Sequence, residues 1–414
     1  MLLIYRILIN LVILFSPLIV LVRIIKNKED KFRFKEKFCF FSKKRGNGKL
    51  IWFHGSSVGE ILSVIPLIEK LEKKKKIDKI LVTSSTLSSS KVLSKFKLKK
   101  TIHQFFPIDS DFFTKKFLDY WKPSAAIFIE SEIWPNMLYE IKKKNTPLIL
   151  LNARITKKSF NRWNRFKEYS KSLFNKFNIC LVQNKETAIY LSKLGCKNIK
   201  KIGNLKLCEN KKIYDYKLNN FQKNFFKNKK VLLCGLSTHN TEEKFCINIF
   251  KSLKKKTNEI LILIPRHINR VDEIIRELNQ NRLMSHKHSI KSKINKNTKV
   301  YLVDTYGEAK KFVNLSNIVF QGGSLIPHGG QNPLEAVREG CLIIHGPNVQ
   351  NFTEIYSFLN KEKISFEFKN INKAKKLIKS KINIKSNNKK IKIKLKKIGL
   401  NILNNTKNEI LNYV

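Results

Sequence analysis

The 414-residue chain has no C-x-x-C pair and no histidines at metal-ligating spacing, which argues against a structural zinc site. Its seven cysteines (Cys39, Cys180, Cys196, Cys208, Cys234, Cys246 and Cys341) are scattered and odd in number, as expected of reduced thiols buried as small hydrophobes in the cytoplasm. A G-x-G-x-x-G fingerprint is missing, which speaks against a dinucleotide dehydrogenase. So is any RNP, zinc-finger or basic-zipper pattern, and no nucleic-acid partner is expected. No Pro/Ser tract or long single-sign run points to extended disorder. Acidic residues are scarce: 31 Asp and Glu stand against 83 Lys and Arg, a formal net charge of +52. Two readings fit that surplus. Lysine is spread along the whole chain among abundant Asn, Ile and Phe, as AT-rich codon usage would produce; a basic surface also suits an anionic membrane or a phosphorylated acceptor.

What the chain does have begins with an apolar N-terminus. Residues 7–22 are almost wholly apolar and flanked by Arg6 and Arg23. If those arginines snorkel, the segment reaches about 20 residues, enough to span a bilayer. Nothing resembling an A-x-A cleavage site follows, so residues 1–26 read as an uncleaved membrane anchor. Lys26, Lys28, Lys31, Arg33 and Lys35 crowd its downstream flank, which by the positive-inside rule keeps the rest of the chain on the cytoplasmic side of the membrane. Asn10 and Pro17 weaken a spanning helix and leave a monotopic, interfacial anchor open.

Beyond the anchor, short β-rich runs alternate with helical stretches, the pattern of parallel α/β layers. The first series is expected at Leu50–His54, 80–83, 102–106, Ala125–Ile129, 148–151 and Ile179–Val182. A second is expected at 231–234, 260–264, 300–303, 318–320, 341–344 and 364–368. The length suits two domains. These read as an N-terminal Rossmann-like domain over 27–208, a polar linker over 209–230, and a C-terminal domain over 231–414 ending in a closing helix. Two doubly wound sheets in tandem predict a ligand site in a cleft outside the strand C-termini.

Several strand ends carry chemistry. In "IWFHGSSVGE" a strand meets a Gly/Ser turn with Glu60 at the start of a helix. That carboxylate can complement the helix dipole for about 0.3–1 kcal/mol, or it can be a catalyst; the residues alone do not choose. "TSSTLSSSKV" offers hydroxyls suited to helix capping or to a polyol. "IFIESEIWPN" puts Glu130 at a strand mouth and Glu132 just beyond it, where a carboxylate is costly unless paired or used. In the second half, Ser237 and Thr238 read as N-cap hydroxyls ahead of Glu242 and Glu243. Arg266 and His267 end an apolar strand, where a guanidinium can grip a phosphate. Gly307 and Glu308 open a helix in "DTYGE". The stretch 320–352 carries two glycine pairs and the block Asn332-Pro333-Leu334-Glu335. Glycines allow close backbone approach, a helix start receives a phosphate, and a nearby carboxylate can hold a ribose diol, which together point to a nucleotide-type ligand.

Taken in order, "WFHGSSVGE", "IESEIWPN", "LNARIT", "VQNKETAIYLSKLG", "IGNLK", "STH", "PRH", "DTYGE", "GGSLIPHGGQNPLE" and "GPNVQNF" resemble the 3-deoxy-D-manno-octulosonic acid (Kdo) transferases of Gram-negative bacteria over nearly the whole chain. The resemblance implies a GT-B fold, two Rossmann-like doubly wound domains, and a membrane-associated inverting glycosyltransferase. It implies transfer of Kdo from CMP-Kdo to the tetra-acylated lipid A precursor, lipid IVA. By the same resemblance Glu60 is the general base, and Glu130 and Lys206 stabilise the transition state. CMP contacts fall on Arg266, His267, Tyr306, Gly307, Glu308, Asn332, Pro333, Leu334 and Glu335. Ser57, Gly59, Ser237, Thr238, Gly323 and Ser324 are candidate donor or acceptor contacts, and neither metal nor cofactor is expected. The chain departs from the family pattern at "STLSSS", at Val303 and at Ala336, which touches fine substrate contacts rather than the reaction. Two competing classes are another membrane-associated GT-B transferase with a UDP-sugar donor, such as one resembling lipid A disaccharide synthase or the peptidoglycan GlcNAc transferase, and a basic membrane-tethered nucleic-acid binder.

Overall fold

A computed structural model of the chain describes residues 1–208, 217–381 and 388–414. The chain forms two compact units: Met1–Ile213 with Lys396–Val414, and Tyr214–Leu395. Each is built on a seven-stranded sheet whose strand pairings are all parallel.

In the first unit the strands are β1 (Leu50–His54), β2 (Lys79–Ser84), β3 (Thr101–Phe105), β4 (Ala125–Ile129), β5 (Leu148–Ala153), β6 (Ile179–Val182) and β7 (Ile199–Lys201), in the order β3-β2-β1-β4-β5-β6-β7. β1 and β4 are buried along their whole length, as central parallel strands covered by helices on both faces must be. Alternate residues serve opposite cores. Trp52, Ala126 and Phe128 pack on one face with Trp121 and Phe117; Ile51, Phe53, Ile127 and Ile129 pack on the other with Ile61, Ile65 and Ile68.

The second unit repeats the plan with β8 (Lys230–Thr238), β9 (Glu259–Pro265), β10 (Ser285–Lys287), β11 (Val300–Leu302), β12 (Ile318–Gln321), β13 (Leu342–His345) and β14 (Ser365–Glu367), in the order β10-β11-β9-β8-β12-β13-β14. In both sheets the order reverses beside the first strand of the series, between β1 and β4 and between β8 and β12. That switch point is where open α/β sheets bind ligands, and the fold is GT-B.

Three expectations need correction. β7 and β10 were not foreseen, because "IKK" and "SHK" carry no buried apolar run; edge strands need none. Within the segment read as linker, residues 209–216 lie outside the described residues, but Asn220–Phe226 is a helix with an Asn219–Gln222 capping box. Its Phe226 packs on Tyr301 with ring centroids 5.2 Å apart, so it belongs to the second unit's fold. Finally, the C-terminal segment does not close the second domain. Ile402, Leu403 and Ile410 are buried in the first unit's core beside Ile51 and Phe53, the Cys208 thiol donates to the Gly399 carbonyl at 3.2 Å, and Lys200 pairs with Glu409 at 2.9 Å. Its apolar stripe is legible in sequence; which sheet it covers is not.

The N-terminal helix α1 (Leu2–Ile25) includes Pro17 and is long and apolar enough to cross a membrane by length and composition, with a mean hydropathy of 2.6. All seven cysteines are free and buried.

Candidate active site

In the first unit, β1 runs into the turn Gly55–Ser56 and then the helix α2 (Val58–Leu71), with Ser57 as its N-cap. Ser57 and Glu60 form a capping box: the Glu60 amide donates to Ser57 Oγ, and the Ser57 amide donates to Glu60 Oε2, each at 3.2 Å. The Ser56 amide donates to the same Oε2 at 2.7 Å, while Oε1 makes no hydrogen bond among the described residues. Gly55 makes this possible, since a Cβ there would lie 3.0 Å from Ile129 and 3.2 Å from the Glu60 Cβ. Gly59 is no part of the tight turn. It sits inside the first turn of α2, and an added Cβ would meet only Ser57 Oγ, at 4.0 Å.

The dipole-complementing and functional readings of Glu60 are thus not exclusive, because the cap geometry is present and the carboxyl is also perturbed. Burial, then the charge of Glu132, pushes the Glu60 carboxyl up to about 7, against the lowering effect of the hydrogen bonds from Ser57; Glu130 adds to the rise. Backbone N–H groups at a helix start favour the ionised form, but here desolvation outweighs them.

Glu132, which sequence reasoning placed near the strand mouth without a role, is the centre of a relay. Its Oε2 accepts from Ser56 Oγ at 2.6 Å and Trp134 Nε1 at 2.8 Å, and lies 3.2 Å from His54 Nε2. His54 Nδ1 lies 3.0 Å from Thr83 Oγ1, which accepts from Trp52 Nε1 at 2.9 Å. The arrangement is satisfied by the His54 tautomer carrying its proton on Nε2, with Thr83 donating to Nδ1. Burial opposes ionisation of Glu132, yet the bonds from His54, Ser56 and Trp134 hold its carboxyl below the usual carboxylate range. It is a fixed negative charge beside Glu60.

Glu130 closes the group. It adopts φ +56° directly after β4, a left-handed conformation uncommon for a non-glycine residue. Its Oε1 lies 2.5 Å from Lys206 Nζ. Lys206 sits on a short turn fixed by amides from three motifs: Asn204 Oδ1 accepts from the Lys206 amide and Asn152 Oδ1 from the Leu205 amide, both at 2.9 Å. Asn204 Nδ2 in turn donates to Gln183 Oε1 at 2.9 Å, and Gln183 Nε2 to the Asn152 carbonyl at 2.8 Å. In sequence, Asn152, Gln183 and Asn204 stood out only as members of the motifs "LNARIT", "VQNKETAIYLSKLG" and "IGNLK", with no sign that they meet.

The second unit gathers histidines and arginines instead. Arg266 and His267 are exposed at the end of β9, and the Arg266 amide donates to the Thr238 carbonyl at 2.9 Å. Around them His239 lies 5.5 Å from His267 and 4.5 Å from His328, ring centroid to centroid. Burial, then the neighbouring His328, His267, Arg266 and Arg270, pushes His239 down to about 4. A neutral ring can accept at Nε2 from the Gln331 amide, 3.3 Å away.

Ser237 and Thr238 do not cap the following helix, Glu242–Leu253, which begins after Thr241 without a side-chain cap. Ser237 instead takes φ +54° beside the glycine loop. A Cβ on Gly322 would lie 2.1 Å from the Ser237 carbonyl oxygen, so only glycine fits. The residue that orders this loop is Glu242, fully buried. Its carboxylate accepts from four amides: His239 at 3.0 Å, Gly323 at 2.7 Å, Ser324 at 3.0 Å and Leu325 at 3.0 Å. Ser324, a candidate contact, is itself buried; its hydroxyl donates to the Gln321 carbonyl at 2.6 Å and accepts from the Gly346 amide at 3.0 Å.

The remaining candidates form a neighbouring group. Glu308 lies 2.7 Å from His288 Nε2, accepts from Thr305 Oγ1 at 2.8 Å and pairs with Lys311. Burial opposes its ionisation, but Lys311, Thr305 and His288 bring its carboxyl down to about 2. This network fixes the turn that presents Tyr306, 65% exposed, and Gly307, whose φ is +84° with open space beside it. Asn332 Oδ1 accepts from the Leu334 amide at 3.1 Å. Pro333 precedes the short helix Leu334–Arg338, with Glu335 in its first turn. Burial pushes the Glu335 carboxyl up, opposed by Lys310 and Arg338.

Residues 32–208 match the family described as 3-deoxy-D-manno-octulosonic-acid transferase (kdotransferase). The 3-deoxy-D-manno-octulosonic acid transferase of Rickettsia bellii (strain RML369-C) is 35% identical over 352 residues, covering 85% of this chain and 84% of that protein. The enzyme of the same description from Haemophilus influenzae is 27% identical over 343 residues, covering 81% and 79%. Among solved structures, a UDP-GlcNAc 2-epimerase from Neisseria meningitidis bound to UDP-GlcNAc shares the fold, with a TM-score of 0.57 at 13% identity over 88% of this chain and 99% of that one.

Proposed function

The chain belongs to the Kdo transferase family and is a glycosyltransferase, and from that premise we propose that it transfers Kdo from CMP-Kdo to the tetra-acylated lipid A precursor, lipid IVA. In this reading the first unit binds the acceptor and the second holds CMP. The helix α1 tethers the protein to the inner membrane, with both units on the cytoplasmic side.

The observation that carries the reading is Glu60: a partly desolvated carboxyl at a sheet switch point, brought up to about 7 by burial and Glu132. A sugar hydroxyl is a poor nucleophile, and a base is most effective when its pKa lies near the working pH. Glu60 Oε1 takes the acceptor hydroxyl proton while the acceptor oxygen bonds to the Kdo anomeric carbon. The bond from that carbon to the phosphate oxygen breaks, and CMP leaves with the electron pair. Glu132 holds its charge beside the base, and Glu130, oriented by Lys206, faces the cationic character developing on the sugar.

In the second unit, Arg266 supplies charge and His267 a hydrogen-bonding ring for the leaving phosphate, and the loop held by Glu242 admits the donor closely. Glu335 suits the ribose diol. A guanidinium at the phosphate does the work otherwise done by a divalent ion, so EDTA is expected to leave the purified enzyme active.

The test is mass analysis of products from CMP-Kdo and lipid IVA. Expected is a product heavier by Kdo, inhibition by CMP and indifference to UDP. Turnover of a UDP-sugar with inhibition by UDP would replace the donor assignment with the rival transferase class.

A further inference from the structure

Composition lets α1 cross a bilayer, but its contacts do not. We infer that α1 lies along the cytoplasmic face of the membrane, docked on the first unit at both ends, with its free side immersed in a single leaflet. The inference rests on reading α1 as the membrane segment, and on neither the donor nor the acceptor.

At 1.5 Å per residue the 24-residue helix is about 36 Å long. Near its start the Tyr5 hydroxyl donates to Asp109 Oδ2 at 2.8 Å, and the Arg6 guanidinium donates to Asn136 Oδ1 at 3.0 Å and Asp111 Oδ1 at 2.6 Å. Near its end Arg23 pairs with Glu29 at 2.9 Å, and Glu29 with Lys37 at 2.6 Å. The chain then locks onto the sheet, where Glu36 Oε2 accepts from the Phe105 amide at 2.8 Å and Arg33 donates to the His103 carbonyl at 2.9 Å. All these partners belong to the first unit. A spanning helix would carry Tyr5 and Arg6 to the far side of the bilayer and strip them from Asp109, Asp111 and Asn136. Asp109 is 2% exposed, and its buried carboxylate would then lose one of its hydrogen bonds.

The middle of the helix agrees with its ends. Leu2, Ile9, Ile13, Ser16 and Val20 are among the less exposed positions and, spaced by three, four or seven, share one side of the helix. The opposite side is apolar and bare: Leu3 is 70% exposed, Ile7 53%, Leu11 49%, Leu14 70% and Leu18 62%. An exposed apolar surface of this extent is covered by lipid rather than left in water. Docking also closes one wall of a cavity of about 390 Å³, lined by Ile4, Leu8, Trp163 and Phe166 and, on its other side, by Trp134. Trp134 donates to Glu132, so the membrane-facing surface runs up to the catalytic edge, as a membrane-borne acceptor requires.

The test uses the full chain with a single-cysteine tag ahead of Met1, the native cysteines being buried and silent. Membrane-impermeant maleimide is applied to spheroplasts and to inverted inner-membrane vesicles. Labelling is expected in the vesicles and lost in the spheroplasts, and an Arg6→Cys, Asp111→Cys variant is expected to yield an intramolecular bismaleimide cross-link while membrane-bound. Labelling of the tag in spheroplasts overturns the inference and leaves the membrane reading standing. A cross-link joining two chains overturns it in favour of a dimer contact. Failure of the protein to float with vesicles overturns both this inference and the membrane reading.

Discussion

The two units share a strand order and place their candidate groups near the equivalent switch point, yet they order those turns by opposite means. In the first unit the key carboxylate is held by its own neighbours, since Ser56, Ser57 and Glu60 lie within five residues. In the second, the glycine loop is held by Glu242, about 80 residues earlier in the chain. A locally built turn separates chemistry from folding, whereas a loop hung on a distant buried charge makes ligand binding and local stability one property. The charge balance differs as well: one turn gathers three glutamates, the other histidines and arginines.

Glu60→Gln gives the largest effect and breaks the comparison most directly. Glutamine keeps the capping box, so the melting temperature and CMP binding should stay near wild type. The base is lost, and kcat should fall by about 10²–10⁴-fold. Wild-type kcat in the folded variant would remove Glu60 from the mechanism.

Glu242→Gln should behave in the reverse sense. The amide nitrogen it introduces cannot accept from the His239 and Gly323 amides that now point at Oε2, and losing bonds to a buried charge costs about 1.5–3 kcal/mol each. CMP affinity and the stability of the second unit should drop together, measured by calorimetry and by denaturant unfolding. A variant of undiminished stability that still loses CMP would show that Glu242 touches the ligand rather than supporting the loop.

A smaller effect is expected of Gly59→Ala. The glycine lies within a helix at ordinary φ with room for a methyl group, so alanine should hold or raise stability, by up to about 1 kcal/mol. Any rise in KM for the acceptor then reports the substrate passing over that bare backbone beside Glu60. Unchanged kinetics would take Gly59 out of the acceptor site.

This contrast also explains what the sequence made legible. The strand–turn–helix with Glu60 at the helix start could be read because it is local, although its Ser57 cap was not foreseen, and the central strands because burial on both faces demands continuous apolar runs. The family motifs marked Glu130 and Lys206 separately, and their 2.5 Å pairing lies in the fold. Glu242 looked like an ordinary helix-start acid, since nothing nearby in sequence reveals four amides arriving from two loops. His54 and Glu132 were visible as residues but not as a relay, because β1 and β4 must first become neighbours. The placement of the C-terminal helix failed for the same reason, as apolar periodicity says that a face is buried and not against which sheet.

The finest test of the comparison is pH. The Glu60 carboxyl stands near 7 in the folded protein, against about 4.3 for an unstructured glutamate. Between those values the folded state keeps a proton that the unfolded state releases, so the stability contributed by Glu60 is full below the lower value and is lost as pH rises through about 7. Activity runs the other way, because the base must be ionised: kcat/KM should fall as pH drops through about 7. Glu132→Gln removes the neighbouring negative charge that raises Glu60, so the acidic limb should move to lower pH, while CMP affinity, a property of the other unit, stays fixed. A limb that keeps its position in Glu132→Gln would mean that burial and Glu130 set Glu60, and that Glu132 serves only to hold His54, Ser56 and Trp134 in place.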